Sequence, residues 1–297
     1  MKLGFIGLGR MGNNIVQNLL GKNHSVVGYD RSPSMVKMIR HSGFAGASSI
    51  SAVASALQRP RLIVIMVPAG KPVDDVLYAL LPSLSRNDTI IEAGNSFFED
   101  SIRRYKRCRK LGVNFLDMGT SGGMAGARHG ASLTIGGERA VFLRFEKLFR
   151  DIAAKDGYAY VGKPGAGHFV KMVHNGIEYA LLQAYGEGFD ILHNGIYKLD
   201  YEKIAAVWSH GSIIRSYITE LAADAFRRDP ALEKFSGKVG GGETGAWTVN
   251  VAKKERVEAG IIEYALKARA KSLKKPSFAT KFVSAMRAAF GGHNEAK

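Results

Sequence analysis

The chain has 297 residues, 46% hydrophobic and 23% charged, which is enough for two domains and is the composition of an ordinary globular protein. No apolar run approaches the roughly 18 residues of a membrane span, and the opening MKLGFIGLGR lacks the cleavage pattern of a secretory leader. Together these predict a cytoplasmic protein with no membrane partner.

A single cysteine, Cys108, excludes an internal disulfide and suits a reducing compartment. Neighbouring arginines would lower its pKa, but no base or second thiol lies close in sequence, so it reads as inert. The formal charge of +16 calls for anionic partners. Its densest cluster is Arg103, Arg104, Lys106, Arg107, Arg109 and Lys110. That cluster reads as the solvated face of a helix. With Tyr105 as its one aromatic, it lacks the stacking platform of a nucleic-acid surface.

In chain order, short β-branched runs at Leu3–Ile6, Ser25–Tyr29, Leu62–Val67, Thr89–Glu92, Phe115–Met118 and Ser132–Ile135 read as strands. Helical stretches such as Asn13–Leu20, Ser34–Ser42, Val73–Leu80 and Ser101–Leu111 lie between them. This alternation predicts a Rossmann-type α/β domain with a mostly parallel, doubly wound sheet. The turn Gly162-Lys-Pro-Gly-Ala-Gly167 breaks the pattern. Beyond it the chain is helical almost throughout, including Gly165–His193, Tyr201–Ser209, Ile213–Phe226 and Ala259–Leu273. The predicted organisation is therefore a dinucleotide-binding domain over residues 1–163 and an all-helical domain over 164–297.

The first strand runs into Gly7-Leu8-Gly9-Arg10-Met11-Gly12 and then a helix. A G-x-G-x-x-G placed between strand and helix, with Asp30 ending the next strand, is the arrangement that binds a dinucleotide pyrophosphate. Val67 and Asn95, at the ends of later strands, belong to the same cofactor-binding edge. A carboxylate at position 30 favours the ribose diol of NAD and repels a 2′-phosphate, whereas Arg31 beside it could hold one. NAD is the expected cofactor and NADP the alternative.

The segment Lys171–Ala180, KMVHNGIEYA, places Lys171, His174, Asn175, Glu178 and Tyr179 at i, i+3, i+4, i+7 and i+8. All five share one edge of a helix, and Phe169, Val170, Met172, Val173, Ile177, Ala180 and Leu181 fill the rest. A partly desolvated lysine can act as a general base. Glu178 lies two turns along, about 10–11 Å on the axis, which leaves room for a small sugar acid between base and acid. His174 and Asn175 can fix hydroxyl groups, and Tyr179 can donate to an anion. Ser121-Gly122-Gly123 after a strand offers a hydroxyl and free amides to a carboxylate, and Asn95-Ser96 offers amide groups at a strand end.

The motifs GLGRMG, NS, GTSGGMAGARHG, KMVHNGIEY and the terminal RAAFGGH resemble those of the decarboxylating 6-phosphogluconate dehydrogenase family, in its short form, within the β-hydroxyacid dehydrogenase superfamily. The resemblance covers essentially the whole chain. It is most specific at K-x-x-H-N-x-x-E, where sister enzymes acting on 3-hydroxyisobutyrate typically carry K-x-x-N-N. It implies a pentose-phosphate-pathway oxidoreductase in which Lys171 takes the C3 hydroxyl proton. Loss of carbon dioxide then needs no metal, and Glu178 protonates the enediol. Asn95, Ser121, Gly122, Gly123, His174 and Asn175 would bind the sugar acid, and Tyr179, Thr244 and Arg269 its phosphate. Arg287 and His293 would reach the neighbouring subunit's site, which makes a homodimer, or a tetramer of paired dimers, the expected assembly.

One departure concerns the phosphate. Many members carry a lysine in a G-T-G-K-W-T stretch; this chain reads Gly242-Glu-Thr244-Gly-Ala-Trp247, with Gly242 taken as the lysine's place. Lys238 or Lys253 would then have to compensate. The alternative activity is that of a dehydrogenase acting on an unphosphorylated 3-hydroxy acid.

Overall fold

The strands and helices follow the apolar periodicity closely, because both faces of the sheet are covered and each helix needs one apolar side. In the computed structural model, which describes residues 1–39 and 41–293, the first part of the chain runs through β1 (Lys2–Ile6), α1 (Arg10–Gly21), β2 (Ser25–Tyr29), α2 (Pro33–Lys37), β3 (Phe44–Gly46), α3 (Ile50–Ser55), β4 (Leu62–Ile65) and α4 (Lys71–Leu80). It continues through β5 (Thr89–Glu92), α5 (Phe98–Lys110), β6 (Asn114–Ser121), α6 (Gly123–His129), β7 (Ala131–Gly137), α7 (Arg139–Ile152) and β8 (Ala153–Gly162). Helices follow: α8 (Ala166–Asn194), α9 (Tyr201–Trp208), α10 (Tyr217–Arg228), α11 (Glu243–Lys254), α12 (Gly260–Ser272) and α13 (Phe278–Gly291).

The chain divides into two compact units, Met1–Met172 and Val173 onward. The compositional break near residue 163 marks the end of the sheet. By packing, the first turns of α8, up to Met172, belong with that sheet.

The sheet has the order β3-β2-β1-β4-β5-β6-β7-β8. All neighbours are parallel except β6 and β7, which pair antiparallel from Leu116 opposite Gly137 to Ser121 opposite Ser132. Order 3-2-1-4-5-6 is that of a doubly wound dinucleotide fold. Alternate strand residues serve opposite faces. Leu3, Phe5, Leu62 and Val64 pack with α1 and α7 through Ile15, Leu19, Phe142 and Phe149. Ile6, Ile63, Ile65 and Ile90 pack with α3, α4 and α5 through Val53, Leu77 and Cys108. Burial on both faces is why these strands read as continuous β-branched runs.

Two strands carry no such run. β3 has three residues at the sheet edge and is largely exposed, and β8 is an edge strand of sequence AAKDGYAYVG with a break in register. An edge strand has one neighbour and little surface to bury, so alternation fades. α10 starts at Tyr217, not at Ile213, because Ser216 and Thr219 cap each other's backbone amides and stop the helix there; Ile213 lies outside it, fully exposed.

The basic cluster on α5 needs a correction. Arg103, Lys106, Arg107, Arg109 and Lys110 are exposed, as expected of a solvated face, but Arg104 is completely buried. It falls on the inner stripe with Ser101 and Cys108. Cys108 is fully buried, and burial pushes its thiol up to about 12, against the lowering expected from the neighbouring arginines.

The helical unit has its own core, in which Phe189 lies 4.8 Å from Phe226 and 5.0 Å from Phe282 between ring centroids. Gly186 of α8 lets α13 approach; a Cβ there would sit 2.6 Å from the Ala279 carbonyl oxygen. Among the described residues no helix is long and apolar enough to cross a membrane.

His24 is 3% exposed, with Nε2 2.8 Å from Asp151. Burial lowers its pKa below the ordinary 6.5 even though Asp151 opposes the shift. The folded state therefore resists a proton that the unfolded chain accepts. Stability should be complete above about pH 6.5 and decline as pH falls from there toward the lowered folded value. Denaturant midpoints measured across that window should fall on acidification in the wild type and fall less in His24→Gln. An equal decline in both proteins would contradict this account.

Candidate active site

The glycine turn after β1 is shaped by contacts that forbid side chains at two of its three positions. Gly7 has φ +99°, and a Cβ there would sit 2.2 Å from the Met66 carbonyl oxygen. At Gly12 a Cβ would meet the Gly7 carbonyl oxygen at 2.0 Å. Gly9 differs, since among the described residues nothing lies within 4 Å of where its Cβ would be. It is the N-cap residue of α1, a twelve-residue helix whose first amides lie next to it in sequence. A helix start of this kind suits a pyrophosphate. These residues fit a dinucleotide.

Asp30 is tied into this turn. Its carboxylate accepts from the Leu8 amide at 2.7 Å and from the Ser32 amide at 2.8 Å, so it shapes the loop as well as standing at the end of β2. Arg31 is exposed beside it. Arg10 is exposed and Met11 half-buried at the start of α1. Val67 lies against this turn: its Cγ1 would be 2.9 Å from a Cβ on Gly7, and its carbonyl oxygen 3.0 Å from one on Gly94. The loops after β1, β4 and β5 are thus adjacent. Asn95 is exposed on the last of them, while Ser96 next to it is buried.

Lys171 reaches this unit through glycine-lined contact. Its Cβ would be 2.5 Å from a Cβ on Gly119 of β6. A Cβ on Gly136 would sit 2.6 Å from the Gly167 amide nitrogen, and one on Gly167 2.4 Å from the Asp117 carbonyl oxygen. The first turn of α8 therefore rests backbone to backbone on β6 and β7. Asp117 fixes it there by accepting the Gly165 amide at 2.7 Å and the His168 amide at 2.9 Å, and Thr134 donates to the Gly167 carbonyl at 3.0 Å. Lys171 is half-buried. Ser121 ends β6, and Gly122, left-handed at φ +113°, turns the chain into α6 at Gly123.

Farther along α8 the polar edge is less uniformly enclosed than its spacing suggests. His174 is exposed, Asn175 is buried, and Glu178 and Tyr179 are half-buried. Several apolar residues of the other sides, Phe169, Val170, Ile177 and Leu181, are exposed.

The helical unit brings three predicted residues together. Tyr179 Oη and Thr244 Oγ1 are 3.0 Å apart, and the Arg269 guanidinium lies 3.8 Å above the Tyr179 ring. Thr244 is in the first turn of α11. Arg287 joins them from α13: its Nη2 would be 3.7 Å from a Cβ on Gly241, and Arg269 Cδ 4.0 Å from one on Gly242. Phe282, Val283 and Met286 anchor α13 in the chain's own helical core, so Arg287, 9% exposed, is presented to its own glycine turn. His293, half-buried, follows the left-handed cap Gly292.

The lysine of G-T-G-K-W-T is also better placed by matching letters. Trp247 and Thr248 anchor the match, so the chain has Ala246 where that stretch has lysine, and Gly242 lies four residues too early. Lys253 is exposed and faces Glu263 at 3.5 Å.

Sequence reasoning missed Asp117, Glu92, Ser101, Arg104 and His168, all buried and polar. The one available signal was position: Ser101, Arg104 and Cys108 share one stripe of α5.

A parallel sheet ending in a glycine cradle and a strand-terminal carboxylate, followed by a helical unit, defines a dinucleotide-dependent dehydrogenase. Residues 2–162 match the NAD-binding domain of 6-phosphogluconate dehydrogenase, and residues 167–286 match the C-terminal domain of the same enzyme. The chain belongs to the 6-phosphogluconate dehydrogenase family. It is 41% identical over its whole length to a Haloferax volcanii protein named 6-phosphogluconate dehydrogenase, NAD(+)-dependent, decarboxylating, and covers 99% of it. A Saccharomyces cerevisiae relative, 6-phosphogluconate dehydrogenase, decarboxylating 1, is 38% identical over 82% of this chain and 53% of its own length. The Plasmodium falciparum 6-phosphogluconate dehydrogenase superposes with a TM-score of 0.82 at 30% identity, covering 93% of this chain and 62% of that one.

Two glycine substitutions separate cradle from scaffold. Gly9→Ala should leave stability within about 0.5 kcal/mol, since its Cβ meets nothing, yet weaken dinucleotide binding in a titration. Gly167→Ala should lower stability by about 1–3 kcal/mol in denaturant unfolding, as overpacking does. Unchanged dinucleotide affinity in the first variant, or unchanged stability in the second, would contradict these assignments.

Proposed function

We propose that this chain oxidises 6-phosphogluconate and releases carbon dioxide to give ribulose 5-phosphate, with NAD preferred over NADP. The observation that carries the proposal is Lys171 seated with its Cβ against Gly119 of β6, with Glu178 two turns on along the same helix. NAD, when bound, supplies the acceptor for the C3 hydride. Lys171 takes the C3 hydroxyl proton as general base. The resulting 3-keto acid loses its carboxylate because the carbonyl receives the electron pair, and Lys171 returns its proton to that oxygen. Glu178 then protonates C1 of the enediol. Asn95, Ser121, Gly122 and Gly123 on the sheet unit, and His174 and Asn175 on α8, hold the sugar acid.

For the phosphate, Tyr179, Thr244 and Arg269 act with Arg287, and two guanidiniums flanking Gly241–Gly242 take the role of the lysine that Ala246 replaces. Bidentate arginine suits a phosphate well. An unphosphorylated 3-hydroxy acid would leave this cluster without a purpose, which weighs against the sister activity. The preference for NAD rests on Asp30, whose carboxylate is held at the cofactor edge by two backbone amides. A homodimer is part of the proposal, supported by exposed apolar residues of the helical unit such as Ile191 and Ile196, with His293 as the tail residue offered to the partner. The setting is the cytoplasm.

Mixing the protein with 6-phosphogluconate and NAD should produce reduced nicotinamide and carbon dioxide in equal amounts. Lys171→Met should abolish turnover, by about 10³-fold or more, with dinucleotide binding kept. Reduction without gas would favour the sister activity, and normal turnover in Lys171→Met would remove the lysine from its role.

A further inference from the structure

A set of buried polar groups in the sheet unit takes no part in the steps above. Glu92, the last residue of β5, is fully buried and faces Arg104, also fully buried, with Arg104 Nη1 at 3.2 and 3.3 Å from its two oxygens. Arg104 also donates to Ser96 Oγ at 3.1 Å, to the Gly70 carbonyl at 3.0 Å and to Asp74 at 2.8 Å. Burial opposes its charge, but Asp74, Glu92 and Asp100 raise its pKa. Ser96 donates to Glu92. Ser101 Oγ lies 3.2 Å from Glu92 and 2.7 Å from His168 Nδ1, and His168 is 1% exposed.

The connectivity ties together loops that bear on the site. Gly70 follows the loop of Val67, Ser96 adjoins Asn95, and His168 precedes Lys171 by three residues, one turn earlier on the same face of α8. Proton counting gives the network a direction. Ser101 has one hydrogen. If it goes to Glu92, His168 must carry a proton on Nδ1 and donate it to Ser101; this assignment follows from the bonding pattern. His168 Nε2 is buried and has no hydrogen-bond partner among the described residues, so the Ser101 bond is what orients the ring. A buried ion pair in isolation is weak evidence for stability, because desolvating each charge costs several kcal/mol. A directional network spanning β5, α5 and α8 specifies geometry instead.

We propose that Ser101 and His168, anchored by the Glu92–Arg104 pair, are positioning residues that hold the Asn95 loop and the Lys171 turn of α8 at a fixed separation. The inference rests on Lys171 being the base, so the wild-type assay comes first: absence of wild-type turnover would defeat that role, not this network. With turnover established, Ser101→Ala and His168→Leu should keep native circular dichroism and dinucleotide affinity but lose about 10- to 100-fold in kcat, the size of effect expected from a misplaced group. The double variant should be no worse than the poorer single one. His168→Asn, whose amide nitrogen replaces Nδ1–H, should recover to within about threefold of wild type, whereas His168→Gln, whose nitrogen replaces Nε2, should not. Should His168→Leu fail to fold, the Asn and Gln variants make the same comparison. The network role is overturned if folded Ser101→Ala turns over within about twofold of wild type, if the single losses multiply in the double variant, or if Asn and Gln at position 168 are equally impaired.

Discussion

The constraint on which the site depends is the seating of α8 on the sheet. Three glycines, at 119, 136 and 167, allow helix and strand backbones to approach to distances at which any Cβ would clash. Asp117, buried in β6, accepts two amide hydrogens from the start of the helix, where a negative charge is also favoured by the helix dipole. Close packing of this kind is rigid. It sets where the Lys171 stem emerges from the sheet unit. The proposed chemistry asks little more of the sheet than a fixed lysine and a cradle for a dinucleotide.

Each unit also carries a polar cluster of its own. Within the sheet unit, Glu92, Arg104, Ser101 and His168 join the loops after β4 and β5 to the same helix turn. Within the helical unit, the Tyr179–Thr244 contact and the Arg269 guanidinium over the Tyr179 ring gather groups suited to a phosphate at the first turn of α11. The strong positive charge of the chain is consistent with ligands that are themselves polyanions. Much of it is nevertheless ordinary exposed surface, as on α5.

How far the sequence disclosed these features depended on the kind of signal each one leaves. Strands covered on both faces, such as β2 and β5, were visible to the residue because burial demands a continuous apolar run. The edge strands β3 and β8 were invisible because exposure removes that demand. The glycine turn and Asp30 were readable from spacing, and so was the shared edge of Lys171 and Glu178. The closeness of Arg287 to Gly241 was not, because forty-six residues separate them and only the packing of α13 brings them together. Arg104 was misread since an arginine among arginines looks solvated. Its burial becomes intelligible only once Glu92, at the end of β5, is seen to face it. His168 was hidden because it falls between the glycine turn that ends at Gly167 and the polar edge that begins at Lys171, and belongs to neither.

The central claim is that Lys171, fixed by this seating, meets the reacting hydroxyl of the sugar acid. A crystal structure of the protein soaked with 6-phosphogluconate tests it most directly. The account predicts the C3 hydroxyl within about 3.2 Å of Lys171 Nζ, hydrogen-bond reach for a general base, with the phosphate held by Tyr179, Thr244 and Arg269. A sugar acid bound with C3 turned away from Lys171, or with its phosphate held elsewhere, would contradict it.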